Sequence, residues 1–149
     1  MTTVVVVKKA GQVVMAADTM VTFGDTRLPY RFETNSKIFK VNGSQGICYI
    51  GMAGTVAHFP ALRKAMTALP KADLKLGSKD EVYDTFLKLH PLLKENFFLQ
   101  TKEDDNDPYE SMQFTVVVAN SSGIYGLYSY REIFEFNEFW SRGSGRNFA

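Results

Sequence analysis

Two helical stretches stand back to back near the middle of the chain, with strand-forming sequence before and after them, and this order limits the architecture more than any other feature. In the first, Phe59, Leu62, Ala65, Met66 and Leu69 recur at helical spacing. Pro60 is tolerated only in a first turn, so the helix is predicted to start near Val56 to Phe59. In the second, Ser78 and Glu81 form a capping box ahead of Val82, Phe86, Leu89, Leu93 and Phe97. That stripe is predicted to end near Leu99 and to be kinked at Pro91. Two consecutive helices between runs of strands do not alternate as βαβ units; they pack as a layer on antiparallel sheet. An α+β layered fold follows.

The strands are marked by β-branched runs and turn residues. Thr2 to Val7 is predicted to pair with Gln12 to Ala17 across a turn at Ala10-Gly11, giving a hairpin that starts at residue 2. From Asp18 to Asn35, polar residues with Gly24 and Pro29 read as a turn and a long loop. A strand from Lys37 to Val41 follows, then a tight turn at Asn42-Gly43 and a strand from Ile47 to Met52 that feeds the first helix through Gly54. After the helices, 102–110 is acidic and loop-like. Strands are predicted at Met112 to Ala119 and Ile124 to Tyr128, ahead of an aromatic-rich stretch from Glu132 to Trp140. Gly143-Ser144-Gly145 then leads into what reads as the opening of a further helix. The chain has 149 residues, so the reading is one domain spanning 1–149.

Charge narrows the function classes. With 17 basic and 16 acidic residues the net charge is +1, which supplies no long-range attraction to phosphate backbones or anionic lipid, so neither nucleic acid nor a membrane is expected as a partner. No apolar run approaches the ~18 residues of a membrane span, and the amino terminus lacks the order of a signal peptide. One cysteine, Cys48, cannot make an internal disulfide and sits in an apolar strand as a small core residue. A reducing, cytoplasmic location is expected.

Four features combine into one chemical proposal. A threonine at position 2, freed by removal of Met1, carries a hydroxyl nucleophile beside an α-amine that can serve as its general base. Lys37 opens the third strand, and an ammonium near that amine disfavours the amine's protonated form. Asp18 closes the second strand and can neutralise a buried Lys37. Gly54, where strand turns to helix, leaves a backbone N–H open to a developing oxyanion. Taken singly, each has a plainer reading: a start-proximal threonine, a turn-forming Asp, a solvated Lys, a glycine required by conformation.

In these segments the sequence resembles the proteasome β-subunit family of N-terminal-nucleophile (Ntn) hydrolases, to which bacterial HslV-like peptidases belong. TTVVVVKKAGQVVMAAD resembles the family's opening and implies Thr2 as nucleophile with Asp18 in support. NSKIFKV resembles its lysine strand, which carries the catalytic lysine to Lys37. GMAGT resembles the turn before its first helix, implying Gly54 as oxyanion donor and Met52 as a lining residue of the substrate pocket; Thr22 is assigned with Met52 to substrate binding. GSG near the end resembles the loop whose serine lies beside the nucleophile, so Ser144 is the implied helper. The resemblance implies a four-layer αββα sandwich and a threonine-type endopeptidase acting on peptide or protein substrates. It further implies a homo-oligomeric double ring of six or seven subunits per ring, with an ATPase unfoldase left open as a partner. No cofactor and no metal are expected. The family continues with two helices, further strands, and an Asp and a Ser that complete its site. The expectation is therefore a truncated sandwich, and two alternatives stand: a catalytically silent ring subunit, or an Ntn hydrolase acting on a small amide.

Other polar groups read as packing or solvated surface. His58 and His90 lie on separate helical segments with no third ligand in view. The acidic run at 103–107 lacks the spacing, central glycine and distal glutamate of a calcium loop. Phe134, Phe136, Phe139 and Trp140 are expected in sheet packing, with Trp140 also a candidate for a subunit contact.

Overall fold

The computed structural model describes residues 2–29, 36–101, 105–110 and 114–149. The elements are β1 (Val4–Lys9), β2 (Gln12–Ala17), β3 (Thr22–Phe23), β4 (Thr26–Arg27), β5 (Ile38–Gly43), β6 (Gly46–Ala53), α1 (His58–Ala68), α2 (Lys79–Asn96), β7 (Thr115–Ala119), β8 (Ile124–Leu127), β9 (Ile133–Phe136) and β10 (Phe139–Arg142). Strands β5-β6-β7-β8-β9 form an antiparallel five-stranded sheet, and β10-β1-β2 a three-stranded one.

Strand alternation decides which residues enter which core. On the five-stranded sheet Phe39, Val41, Cys48, Ile50, Met52, Val116 and Val118 face the helices and meet Phe59, Leu62, Met66, Phe86, Leu89 and Leu93. Val117, Ala119 and Ile124 face the other way and meet Val6, Val13, Met15, Phe136 and Trp140 of the second core. The described residues thus build three layers: helices, larger sheet, smaller sheet. They make up an αββ portion of the expected αββα sandwich, and Val7, Val14 and Phe139 lie side by side and exposed on the smaller sheet's outer face.

Several expectations are corrected. The turn expected at Asn42-Gly43 lies at Ser44-Gln45, and Gly43 is a strand residue paired with Gly46. Its glycine serves a close approach instead, because a Cβ there would come within 2.8 Å of the Leu74 carbonyl in the loop between the helices. The stretch read as one long loop from Asp18 contains the small β3–β4 hairpin, turning at Gly24-Asp25; Asn35 lies outside the described residues. The second helix ends at Asn96, short of Leu99, because Phe98 takes a left-handed conformation (φ 54°) that α-helix cannot continue. It runs through Pro91, which lies inside it. Ser78 Oγ accepts from Glu81 N at 3.2 Å as the capping box predicts, but the Glu81 carboxylate accepts from Gly77 N (2.8 Å). The described part of the next strand opens at Thr115, and Met112 lies outside the described residues. The aromatic stretch divides: β9 closes the larger sheet, β10 joins the smaller one, and Phe136 stacks on Trp140 at 4.1 Å across the corner.

The two sheets stack closely at Gly51. A Cβ there would lie 2.6 Å from Val4 Cγ1 and 2.9 Å from Met15 Sδ, so the smaller sheet rests on bare backbone. Gly51→Val is expected to destabilise the fold by about 1–3 kcal/mol through overpacking, read as a lowered urea midpoint with unchanged m-value.

Candidate active site

The site lies where the strand ends of both sheets meet. Asp18 follows β2 directly, and its N–H donates to Thr3 O at 3.1 Å, extending the β1–β2 ladder by one step. Its side chain then bridges the sheets. Oδ1 accepts from Thr3 N at 2.6 Å, while Oδ2 accepts from Met20 N at 2.9 Å and from Lys37 Nζ at 2.8 Å. The Lys37 side chain is 2% exposed and that of Asp18 33%. Burial on its own would raise the Asp18 pKa; the Lys37 hydrogen bond, the two backbone donors and the ammonium's charge outweigh it and hold the carboxyl below its ordinary range.

Thr2 is held from its other side. Gly145 N donates to Thr2 O at 3.2 Å, and Thr2 N lies 3.2 Å from Ser144 Oγ. Such wrapping requires the glycines flanking Ser144. A Cβ on Gly143, whose φ is 93°, would overlap the Thr2 carbonyl, and one on Gly145 would overlap Thr3 Oγ1. The loop is braced by Ser141 Oγ donating to Arg146 O (2.9 Å) and Arg146 Nη1 donating to Gly143 O (3.2 Å).

Thr2, Lys37 and Gly54 line one cleft of about 390 Å³ with Met20, Val21, Thr22, Phe23 and the 55–57 segment. Gly54 has φ 125°, a conformation open to glycine and strained for other residues, and nothing stands within 4 Å of where its Cβ would be. A second cleft of about 410 Å³ shares Val21, Thr22, Phe23, Val56 and Ala57 and adds Leu28, Phe59, Pro60 and Arg63. The hairpin bearing Phe23, 81% exposed, forms the wall common to both.

Thr2, Asp18, Lys37, Gly54 and Ser144 are therefore gathered at one place, and Thr22 lines both clefts. Met52 is elsewhere: it is 1% exposed in the helix-side core and lines neither cleft. The alternation of β6 sends its side chain under α1 while Gly51 faces the smaller sheet. Sequence reading missed Met20, Val21 and Phe23 as walls, because the segment reads as an unpatterned loop. It also missed the Gly145 amide, which the paired glycines of GSG could have signalled. Met1 lies outside the described residues, as do Glu103 and Asp104 of the acidic run. Of the histidines, His58 packs against Phe114 at 5.6 Å and His90 Nε2 lies 3.2 Å from Glu110 Oε2, so each has a packing or hydrogen-bonding role.

Asp18→Asn is expected to remove the carboxylate charge paired with the buried Lys37 ammonium. Loss of one partner of a buried pair costs about 3–5 kcal/mol, here reduced to roughly 2–3 by the exposure of Asp18. Because the folded pKa of Asp18 is depressed, its contribution is fully present above the ordinary value of 3.8 and is lost as pH falls through the lower folded value. Denaturant melts between neutral and strongly acid pH should show the wild type losing part of its margin over the variant in that acid window.

Comparison with known proteins bears on the family and the fold. A family model described as Proteasome subunit matches residues 1–68. Thiobacillus denitrificans BPH is similar at 30% identity and a TM-score of 0.81, over 97% of this chain and 73% of that one. The same protein in complex with epoxomicin is similar at 29% identity and a TM-score of 0.83, with the same coverage. Eukaryotic HslV from Trypanosoma brucei shares the fold, with a TM-score of 0.59 at 15% identity over 98% of this chain and 74% of that one. No curated protein sequence matches. On the strength of the 30% identity to BPH across nearly its whole length, together with the family match at its amino-terminal end, the chain belongs to the proteasome subunit family, with a fold of the β-subunit and HslV type.

Proposed function

We propose that this chain is a threonine-type endopeptidase subunit, with Thr2 as nucleophile once Met1 is removed. The observation that carries the reading is the convergence on one cleft of Thr2, Lys37 and Gly54, with Thr2 N 3.2 Å from Ser144 Oγ. The Thr2 amine takes the proton of its own hydroxyl, and Oγ1 attacks the carbonyl carbon of a peptide. Lys37, neutralised overall by Asp18 yet still cationic toward the cleft, favours the unprotonated amine and the nascent alkoxide. The Gly54 N–H stabilises the oxyanion of the tetrahedral intermediate, a kind of contact worth roughly 10²–10³ in rate. Collapse breaks the C–N bond, and the leaving amine takes the proton held on the Thr2 nitrogen. Water, deprotonated by the same amine, then hydrolyses the ester and restores Thr2.

The flanking clefts, mostly apolar in lining, suit an extended unfolded peptide better than a small amide. Family membership supports assembly into a ring, and we propose a homo-oligomeric double ring of six or seven subunits per ring around an enclosed chamber. An ATPase unfoldase is the partner such a chamber would use.

Protein shown by intact mass to begin at Thr2 is expected to turn over fluorogenic peptides, and Thr2→Ala to lower kcat by about 10⁴-fold or more. Epoxomicin, bound in the T. denitrificans BPH structure, is expected to inhibit that turnover. Equal turnover by wild type and Thr2→Ala would refute the assignment.

A further inference from the structure

We propose that Arg142 is a positioning residue of electrostatic type: a second cation that flanks Thr2 on the side opposite Lys37 and biases the Thr2 amine toward its unprotonated form. The inference rests on the reading of that amine as the base.

The placement follows from strand order. In the smaller sheet β1 lies between β10 and β2, so Arg142 at the end of β10 and Asp18 just after β2 stand on opposite flanks of the strand that begins beside Thr2. The larger sheet repeats the arrangement beneath. Lys37 precedes β5, Gly54 follows β6, and Thr115 opens β7 opposite Ala53. Arg142 pairs directly with Val4, which makes Thr2 its diagonal neighbour across the strands, roughly 7–8 Å from backbone to backbone by ordinary sheet geometry. The next three residues after Arg142 are the Gly143–Gly145 loop that holds Thr2.

The guanidinium is fixed in the space between the sheets. Its carbon lies 3.8 Å from the centroid of the Tyr128 ring, Nη2 donates to Thr115 Oγ1 at 3.2 Å, and Nε is buried with no partner among the described residues. No carboxylate among the described residues forms an ion pair with it. Asp18, on the other flank of β1, is committed to Lys37 and two backbone amides. The charged and titratable groups on the two flanks of β1 are thus Asp18 with Lys37 on the β2 and β5 side, and Arg142 and Arg146, with Tyr128 against the Arg142 guanidinium, on the β8–β10 side. Arg146 is exposed and screened by solvent. Arg142 is the inward-facing cation of that side and stays charged in a partly buried setting. As a general matter, a cation roughly 8 Å from an amine across a partly screened medium lowers the amine's pKa by about 0.5–1 pH unit.

The test reads the amine directly. On protein beginning at Thr2, competitive acylation of the α-amine as a function of pH is expected to show a pKa about 0.5–1 pH unit higher in Arg142→Met than in wild type, with Arg142→Lys restoring it. The acid limb of kcat/KM should move with it, a loss of about 3–10-fold at a fixed pH on that limb. Arg142→Gln, which can still bond Thr115, is the neutral variant to use if Arg142→Met does not fold. A folded neutral variant whose amine titrates as in wild type would overturn the proposal, and so would an equal shift in Arg142→Lys, which would assign the effect to shape and not to charge. Acylation needs no turnover, so its outcome is separate from whether Thr2→Ala abolishes peptide cleavage.

Discussion

The contact between Asp18 and Lys37 is the constraint on which the site depends. An ammonium 2% exposed between two sheets is tolerable only with a carboxylate against it. Asp18 sits at the end of one sheet and Lys37 at the start of the other, so the ion pair also sets how the sheets meet at this end. The same carboxylate takes the amide of Thr3, so neutralising the lysine and orienting the chain next to Thr2 are a single act. Stability and chemistry share one side chain here.

Backbone approach is the second theme. Gly51 lets the sheets close on each other, Gly143 and Gly145 let a loop wrap the first residues of the chain, and Gly54 supplies a backbone conformation that β-carbons resist. Thr2, the proposed nucleophile, precedes β1, which begins only at Val4. The structure compensates by bonding Thr2 and Thr3 from both flanks, through Asp18 on one side and the 143–145 loop on the other.

Much of the fold was readable where burial on one face forced a period. The helices at residues 58–68 and 79–96 carry unbroken apolar stripes, and the β1–β2 hairpin is announced by its valines and by a turn with two left-handed residues, Ala10 and Gly11. Reading failed where local signals were ambiguous. Asn-Gly is a strong turn signal, yet Gly43 is consumed by contact with the Leu74 carbonyl, a neighbour far away in sequence. The β3–β4 hairpin has two residues per strand, too few to show a period. Met52 was assigned by position in a motif, and strand alternation buried it under a helix.

By itself the sequence determined the class of fold and the kinds of groups available for chemistry, because periodicity, capping and charge are local properties written along the chain. It also named Thr2, Asp18, Lys37, Gly54 and Ser144 as a set, through ordered segments that resemble one family. Only the tertiary structure decided that Thr2, Lys37 and Gly54 line one cleft with Asp18 and Ser144 bonded beside it, that Asp18 serves both Lys37 and the Thr3 amide, and that Arg142 flanks Thr2 opposite Lys37. Those relations arise between separate strands, some of them in different sheets, 15 to 142 residues apart where hydrogen bonds record them, and no local pattern encodes a distance across a gap that packing closes.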